Sequence, residues 1–171
     1  ARLGQARIHV MRNEYWKTIS IYEDVLKHKN FDGEPYYNDV SFAFQKQTYH
    51  YAREWFVRGD LDHAYFYFRK IVNFFPNTRF GEAALYHIGE IFMKRKLWPS
   101  AIRYFDLVLK NDDNSKNDAA QLQKGIAYYH CNQPGEALRN LELVRQYYRN
   151  SPYYSQAIQW IKVIERDLLY K

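Results

Sequence analysis

Along this chain apolar residues return every three to four positions, in stretches of roughly ten to twenty residues parted by short polar breaks. That period returns a side chain to the same face of an α-helix. It predicts helices at about 3–12, 14–28, 40–58, 60–75, 79–95, 98–110, 117–132, 134–149 and 153–170. The breaks between paired stretches read "RNE", "RGD", "KRKL" and "CNQPG". Gly59 suits a helix stop, and Pro99 and Pro134 suit the first turn of the helix that follows. The longest linker, "HKNFDGEPYYNDV" (28–40), carries Asp32-Gly33 and Glu34-Pro35, both turn chemistry.

Aligned on itself, the chain gives four copies of a seventeen-residue window, at 6–22, 52–68, 89–105 and 125–141. The first position is always small: Ala6, Ala52, Gly89 and Gly125. The thirteenth is small as well, being Thr18, Ala64, Ala101 and Ala137. The seventeenth is bulky: Tyr22, Phe68, Phe105 and Leu141. Small residues facing each other let two helices approach closely, and the bulky one fills the space beside them. One such hairpin is too small to bury its own apolar face, so the copies must stack.

A period near 34 residues with these small and large positions resembles the tetratricopeptide repeat (TPR). In "WFVRGDLDHAYFYFRKIVNFFP", Gly59, Leu61, Ala64, Phe68, Ile71 and Pro76 stand where that family places them. "NEYWKTISIYEDVL" is similar, with Tyr15 in the slot of Leu61, whereas Lys124 falls where an apolar residue belongs. The resemblance implies an all-α fold, a right-handed α-α superhelix (solenoid) of about four helical hairpins. The hairpins would be 1–28, 40–76, 79–113 and 115–149, in one array closed by a capping helix at 153–170. The chain opens in what looks like the interior of a helix, "ARLGQARIHVM", so it is expected to be a piece of a longer protein.

The junction "FFPNTRFGEAALYHIGEIF" (74–92) is similar to the inter-repeat signature of bacterial envelope TPR proteins, of the Tol-Pal coordinator or β-barrel-assembly lipoprotein type. "NSKNDAAQLQKG" (114–125) and "NSPYY" (150–154) are similar to the next two junctions, although Pro is missing before Ser115. The resemblance implies a periplasmic scaffold. No signal peptide is visible in the chain, and no run is long and apolar enough to span a membrane.

With 47% hydrophobic and 26% charged residues, composition excludes a disordered chain. Seventeen Tyr and eleven Phe suit both helix packing and interfaces. The net charge of +6 raises the question of nucleic acid, but the cations are scattered and no basic run exceeds "KRK" at 94–96. Cys131 stands alone, so no disulfide framework exists. The six histidines never lie three or four apart on one helix, and neither HExxH nor CxxC occurs. "NDDNSKND" (111–118) lacks the central Gly and final Glu of a calcium loop and reads as a turn with a Ser115/Asp118 capping box. No phosphate loop or nucleophile elbow stands out. The expectation is therefore a protein that is not an enzyme, without catalytic residues, metal or cofactor.

In the resembling family the first helix of each hairpin (helix A) lines the concave side. Residues at about −3, +1, +4 and +5 from the small position then point into the groove. These are Tyr49, Arg53, Phe56 and Val57, then Tyr86, Glu90, Met93 and Lys94, then Leu122, Ile126, Tyr129 and His130. Aromatics and a Met flanked by Arg, Lys and Glu suit a peptide or helical segment of a partner protein. Co-chaperones with this repeat clamp a carboxylate with Lys and Asn in slots held here by Tyr49, Arg53, Tyr86 and Glu90, so that activity does not carry over. The expected function is a scaffold for a cell-envelope complex. The alternatives are an RNA-binding repeat module or the helical platform of a larger enzyme. Base-reading repeats place a short polar residue where this chain has Tyr49, Tyr86 and Leu122.

Overall fold

The computed structural model describes residues 2–12, 14–27, 35–111 and 114–170. In chain order the described helices are α1 (Arg2–Met11), α2 (Tyr15–Lys27), α3 (Pro35–Arg58), α4 (Leu61–Phe74), α5 (Arg79–Lys94), α6 (Trp98–Val108), α7 (Asn117–His130), α8 (Pro134–Tyr147) and α9 (Tyr154–Leu169). The described residues contain no strand, and the fold is all-α, built from consecutive helical hairpins. Every helix end but one lies within two residues of its sequence-based position. The exception is α3, which starts at Pro35 rather than at 40. Proline suits a first helical position because its missing N–H would find no partner there. Pro35, expected in a turn, thus starts a helix. The Asp32-Gly33 reading lies outside the described residues.

The helices cluster into two compact units, Ala1–Ala84 and Leu85–Lys171. In the first, α1 packs on α2, α2 on α3, and α3 on α4. Its core gathers Ala6, Ile19, Tyr22, Val25, Leu26, Val40 and Phe44. Phe74 meets the Phe44 ring edge-on at 5.6 Å. In the second, α6 packs on α7, α7 on α8, and α8 on α9. Leu122, Ile126, Ala137, Leu141, Val144, Ala157, Ile161 and Ile164 form one cluster there.

Repeated positions meet inside the first, third and fourth hairpins. A methyl group on Gly89 would lie 2.5 Å from the Phe105 ring, and one on Gly125 would lie 2.8 Å from Leu141 Cγ and 3.3 Å from the Ala137 carbonyl. In the first copy the Thr18 hydroxyl donates to the Ala6 carbonyl at 3.4 Å. Ala64, Ala101 and Ala137 have no exposed surface. The bulky residue therefore occupies the volume that the small one leaves open, and both identities follow from the same close approach.

Three hairpin turns share one closure. Gly59, Lys96 and Asn132 have φ of 85°, 57° and 58°. In each turn the next N–H reaches back five residues: Asp60 to the Trp55 carbonyl, Leu97 to Phe92, and Gln133 to Tyr128, at 3.0, 2.9 and 3.0 Å. This is the Schellman closure, which satisfies carbonyls the helix end leaves open.

The capping box expected from Ser115 and Asp118 does not form. Lys116 is the N-cap of α7 and makes no side-chain cap bond. The buried Asn114 shapes the turn instead, its Oδ1 accepting from the Lys116 N–H at 2.9 Å. Asp118 accepts from its neighbour Ala119 N–H and from the Ser151 hydroxyl, both at 2.7 Å. Lys124, polar in a slot that suits an apolar residue, reaches Asp106 on α6 at 2.7 Å and lies 5.9 Å from the Tyr128 ring. Its stem packs while its charge finds an acid.

Candidate functional site

Each unit presents its own set of A-helix side chains. On α3, Tyr49 is half-buried, 5.8 Å from Phe68 and 5.5 Å from Phe80. Phe56 is half-buried too, whereas Arg53 is exposed. Val57 is 75% exposed and Phe42, four turns back on the same face, 57%. Phe42, Lys46, His50, Arg53 and Val57 recur at helical spacing and make one continuous stripe. Lys46 and Arg53 meet no acid among the described residues. His50, Arg53, Glu54, Val57 and Arg58 line a shallow cavity of about 340 Å³ at the end of this stripe. Arg58 reaches Glu54 at 3.8 Å and lies 5.4 Å from the Trp55 ring, so its charge is engaged locally.

In the second unit the expected lining residues divide. Tyr86 and Ile126 are 5% and 6% exposed, and Leu122 is fully buried. These three are core side chains, not lining ones. Position +1 of α7 and position −3 of α5 and α7 face the packed interior of the hairpins. Tyr86 sits 5.9 Å from Phe105, and its hydroxyl donates to Glu90 Oε1 at 3.3 Å. Burial first, and then the Glu90 carboxylate, push this hydroxyl far above the ordinary tyrosine range. Glu90 also pairs with His87 Nδ1 at 2.7 Å, and Lys116 lies 5.6 Å from the Tyr86 ring. Glu90 is thus held inside a local network. Met93 is half-buried against the second unit's core, and Lys94 is exposed.

Tyr129 and His130 do come together. The Tyr129 hydroxyl donates to Asp167 Oδ2 at 2.5 Å, and that bond, ahead of burial, raises its pKa. His130 is exposed and stacks on Trp98 at 4.4 Å with planes 16° apart. Trp160 closes the group, 5.5 Å from Tyr129 and 6.1 Å from His130. Beside it a cavity of about 310 Å³ is lined by Tyr129, His130, Pro134, Asp167 and Leu168, among others. The repeat rule does not reach Trp98, Trp160 or Asp167, because they stand at the start of a second helix and on α9. It also misses Phe42 and Lys46, about two turns and one turn outside its window. Their only sequence signal is the continuing period of α3.

Among the described residues no group of three or more His, Cys, Asp or Glu is placed to hold a metal. No described helix is long and apolar enough to cross a membrane.

Residues 83–115, the third hairpin, match the family model described as tetratricopeptide repeat. A comparison with curated proteins gives no match. Among solved structures, MamA (41-end) from Desulfovibrio magneticus RS-1 superposes with a TM-score of 0.60 at 16% identity, over 97% of this chain and 84% of that one. The fold is a tetratricopeptide-repeat fold. A MamA RS-1 ArsTM double mutant gives 0.53 at 14% identity, over 99% and 96%. A putative kinesin light chain from Podosopora anserina with nearly identical TPR-like repeats gives 0.52 at 13% identity, over 99% and 95%. At such identities the likeness is one of fold. The TPR match contains Gly89, Ala101 and Phe105, of which Gly89 and Phe105 are in close contact and Ala101 is fully buried.

Proposed function

We propose that this chain is a non-enzymatic scaffold or adaptor that takes up a segment of a partner protein on its A helices. The observation that carries the reading is the α3 stripe, where two largely exposed apolar side chains, Phe42 and Val57, flank Lys46 and Arg53, cations that meet no acid among the described residues. Apolar anchors give affinity and charges fix direction. A repeat fold offers surface for a partner more readily than chemistry. The junctions at 74–92, 114–125 and 150–154 favour a bacterial envelope complex and a periplasmic location. The RNA-reading alternative is weakened, since two of its three base-facing positions, Tyr86 and Leu122, are buried.

The test is cross-linking of the native full-length protein in cells, followed by binding of the recovered partner with purified components. Arg53→Glu combined with Val57→Ser is expected to weaken that binding at least about ten-fold, with the helical circular dichroism unchanged. Undiminished binding by this variant would refute the α3 assignment. Fractionation of the same native protein into the cytosol would refute the periplasmic one.

A further inference from the structure

The second helix of the third hairpin carries a surface that the A-helix reading does not use. By helical period α6 has two faces. Ala101, Phe105 and Val108 are buried, while Ser100, Arg103, Tyr104 and Leu107 lie on the other side and Lys110 follows in the turn just past the helix end. Those five, with Phe92 of α5 and Asp106, line a cavity of about 460 Å³. Its floor is aromatic: Phe92 stacks on Tyr104 at 5.2 Å with planes 18° apart. Leu107, 40% exposed, adds an apolar wall.

Among the described residues the charges around this floor are unbalanced. Asp106, the one carboxylate among the described lining residues, is taken by Lys124 at 2.7 Å. Arg103 and Lys110 are exposed and meet no partner among the described residues. They stand seven residues apart, Arg103 on α6 and Lys110 in the turn that follows it. An apolar hollow between two unanswered cations fits a ligand with the opposite arrangement. We propose that this face of α6 is a second docking site, for an acidic segment of a partner protein that places a large apolar side chain between its carboxylates. The apolar side chain enters against Phe92, Tyr104 and Leu107, and the carboxylates pair with Arg103 and Lys110. Nucleic acid fits less well. Two cations do not make a phosphate-tracking stripe, and the aromatic rings are stacked on each other rather than splayed to receive bases. The site goes beyond the α3 reading and stands or falls separately from it.

The experiment uses the whole chain and a fluorescein-labelled peptide with glutamates on either side of one phenylalanine. Binding is followed by anisotropy at low salt and mapped by amide chemical shifts. The expected result is saturable binding with shifts concentrated on residues 100–110. Arg103→Glu with Lys110→Glu should weaken it by more than about ten-fold, and replacing the peptide's phenylalanine by glycine by about five-fold. Arg53→Glu should leave it unchanged, which separates this site from the one on α3. Equal affinity for the double variant, or shifts that fall elsewhere, would overturn the proposal. So would tight binding of single-stranded polyuridine that displaces the peptide, because any polyanion would then suffice.

Discussion

Lys96 holds a backbone conformation that costs a side chain about 1–2 kcal/mol and glycine almost nothing. Its φ of 57° is imposed by the turn, which takes the same form at Gly59 and Asn132. The lysine side chain is exposed, so no packing is lost with it. Lys96→Gly is therefore expected to stabilise the protein by about 0.5–1 kcal/mol, the strain relief less the extra freedom glycine gives the unfolded chain. Asn132→Gly should gain less, because asparagine tolerates this region. Urea unfolding of the two variants measures both. A loss of stability in Lys96→Gly would mean that the lysine side chain makes a contribution its exposure does not suggest.

The same economy operates at the ends of helices. The N-cap of α4 is Asp60, whose Oδ1 accepts the His63 backbone N–H at 3.0 Å while Oδ2 meets His63 Nδ1 at 2.8 Å. The backbone bond, foremost, lowers the Asp60 pKa below its ordinary value of 3.8. A carboxylate lowered on folding stabilises above its unfolded pKa and loses that contribution as pH falls through the folded one. Asp60→Ala should thus lower Tm at neutral pH, and the gap from wild type should close below about pH 4. Asp60→Asn, which keeps an accepting oxygen, should stay near wild type. A gap independent of pH would remove the charge from the explanation. Helices such as α4 were legible in the sequence because apolar period, cap and glycine stop agree at one place. At α3 the signals conflicted: Pro35 serves a turn and a first helical turn equally, and only the packing of Val40 and Phe44 into the core decides between them. At α7, Ser115 has the cap pattern but is exposed and makes no cap, and the buried Asn114 shapes the turn before the helix instead. The groove residues were half legible. The period shows which way a side chain points, but not whether a neighbouring helix has already claimed it, and so Tyr86 and Ile126 look like lining residues and are core.

Across the whole molecule, stability should be divided as the cores are. A repeat array is held by contacts between neighbouring elements, so damage to one core need not reach another. Leu141 tests this: it is fully buried, belongs to the cluster of α7, α8 and α9, and fills the volume left by Gly125. Leu141→Ala opens a cavity there, at a cost of about 2–5 kcal/mol. If openings are local, amide exchange should accelerate through α7, α8 and α9, because their buried residues share the cavity. The Ile19, Val25, Val40 and Phe44 cluster gathers no residue from those helices, so α2 and α3 should keep wild-type protection. Hydrogen-exchange mass spectrometry resolves the two regions by peptide. Equal acceleration in α2 and α3 would show that the chain opens as a single cooperative body. The energy of each hairpin would then be set by the whole array and not by its neighbours.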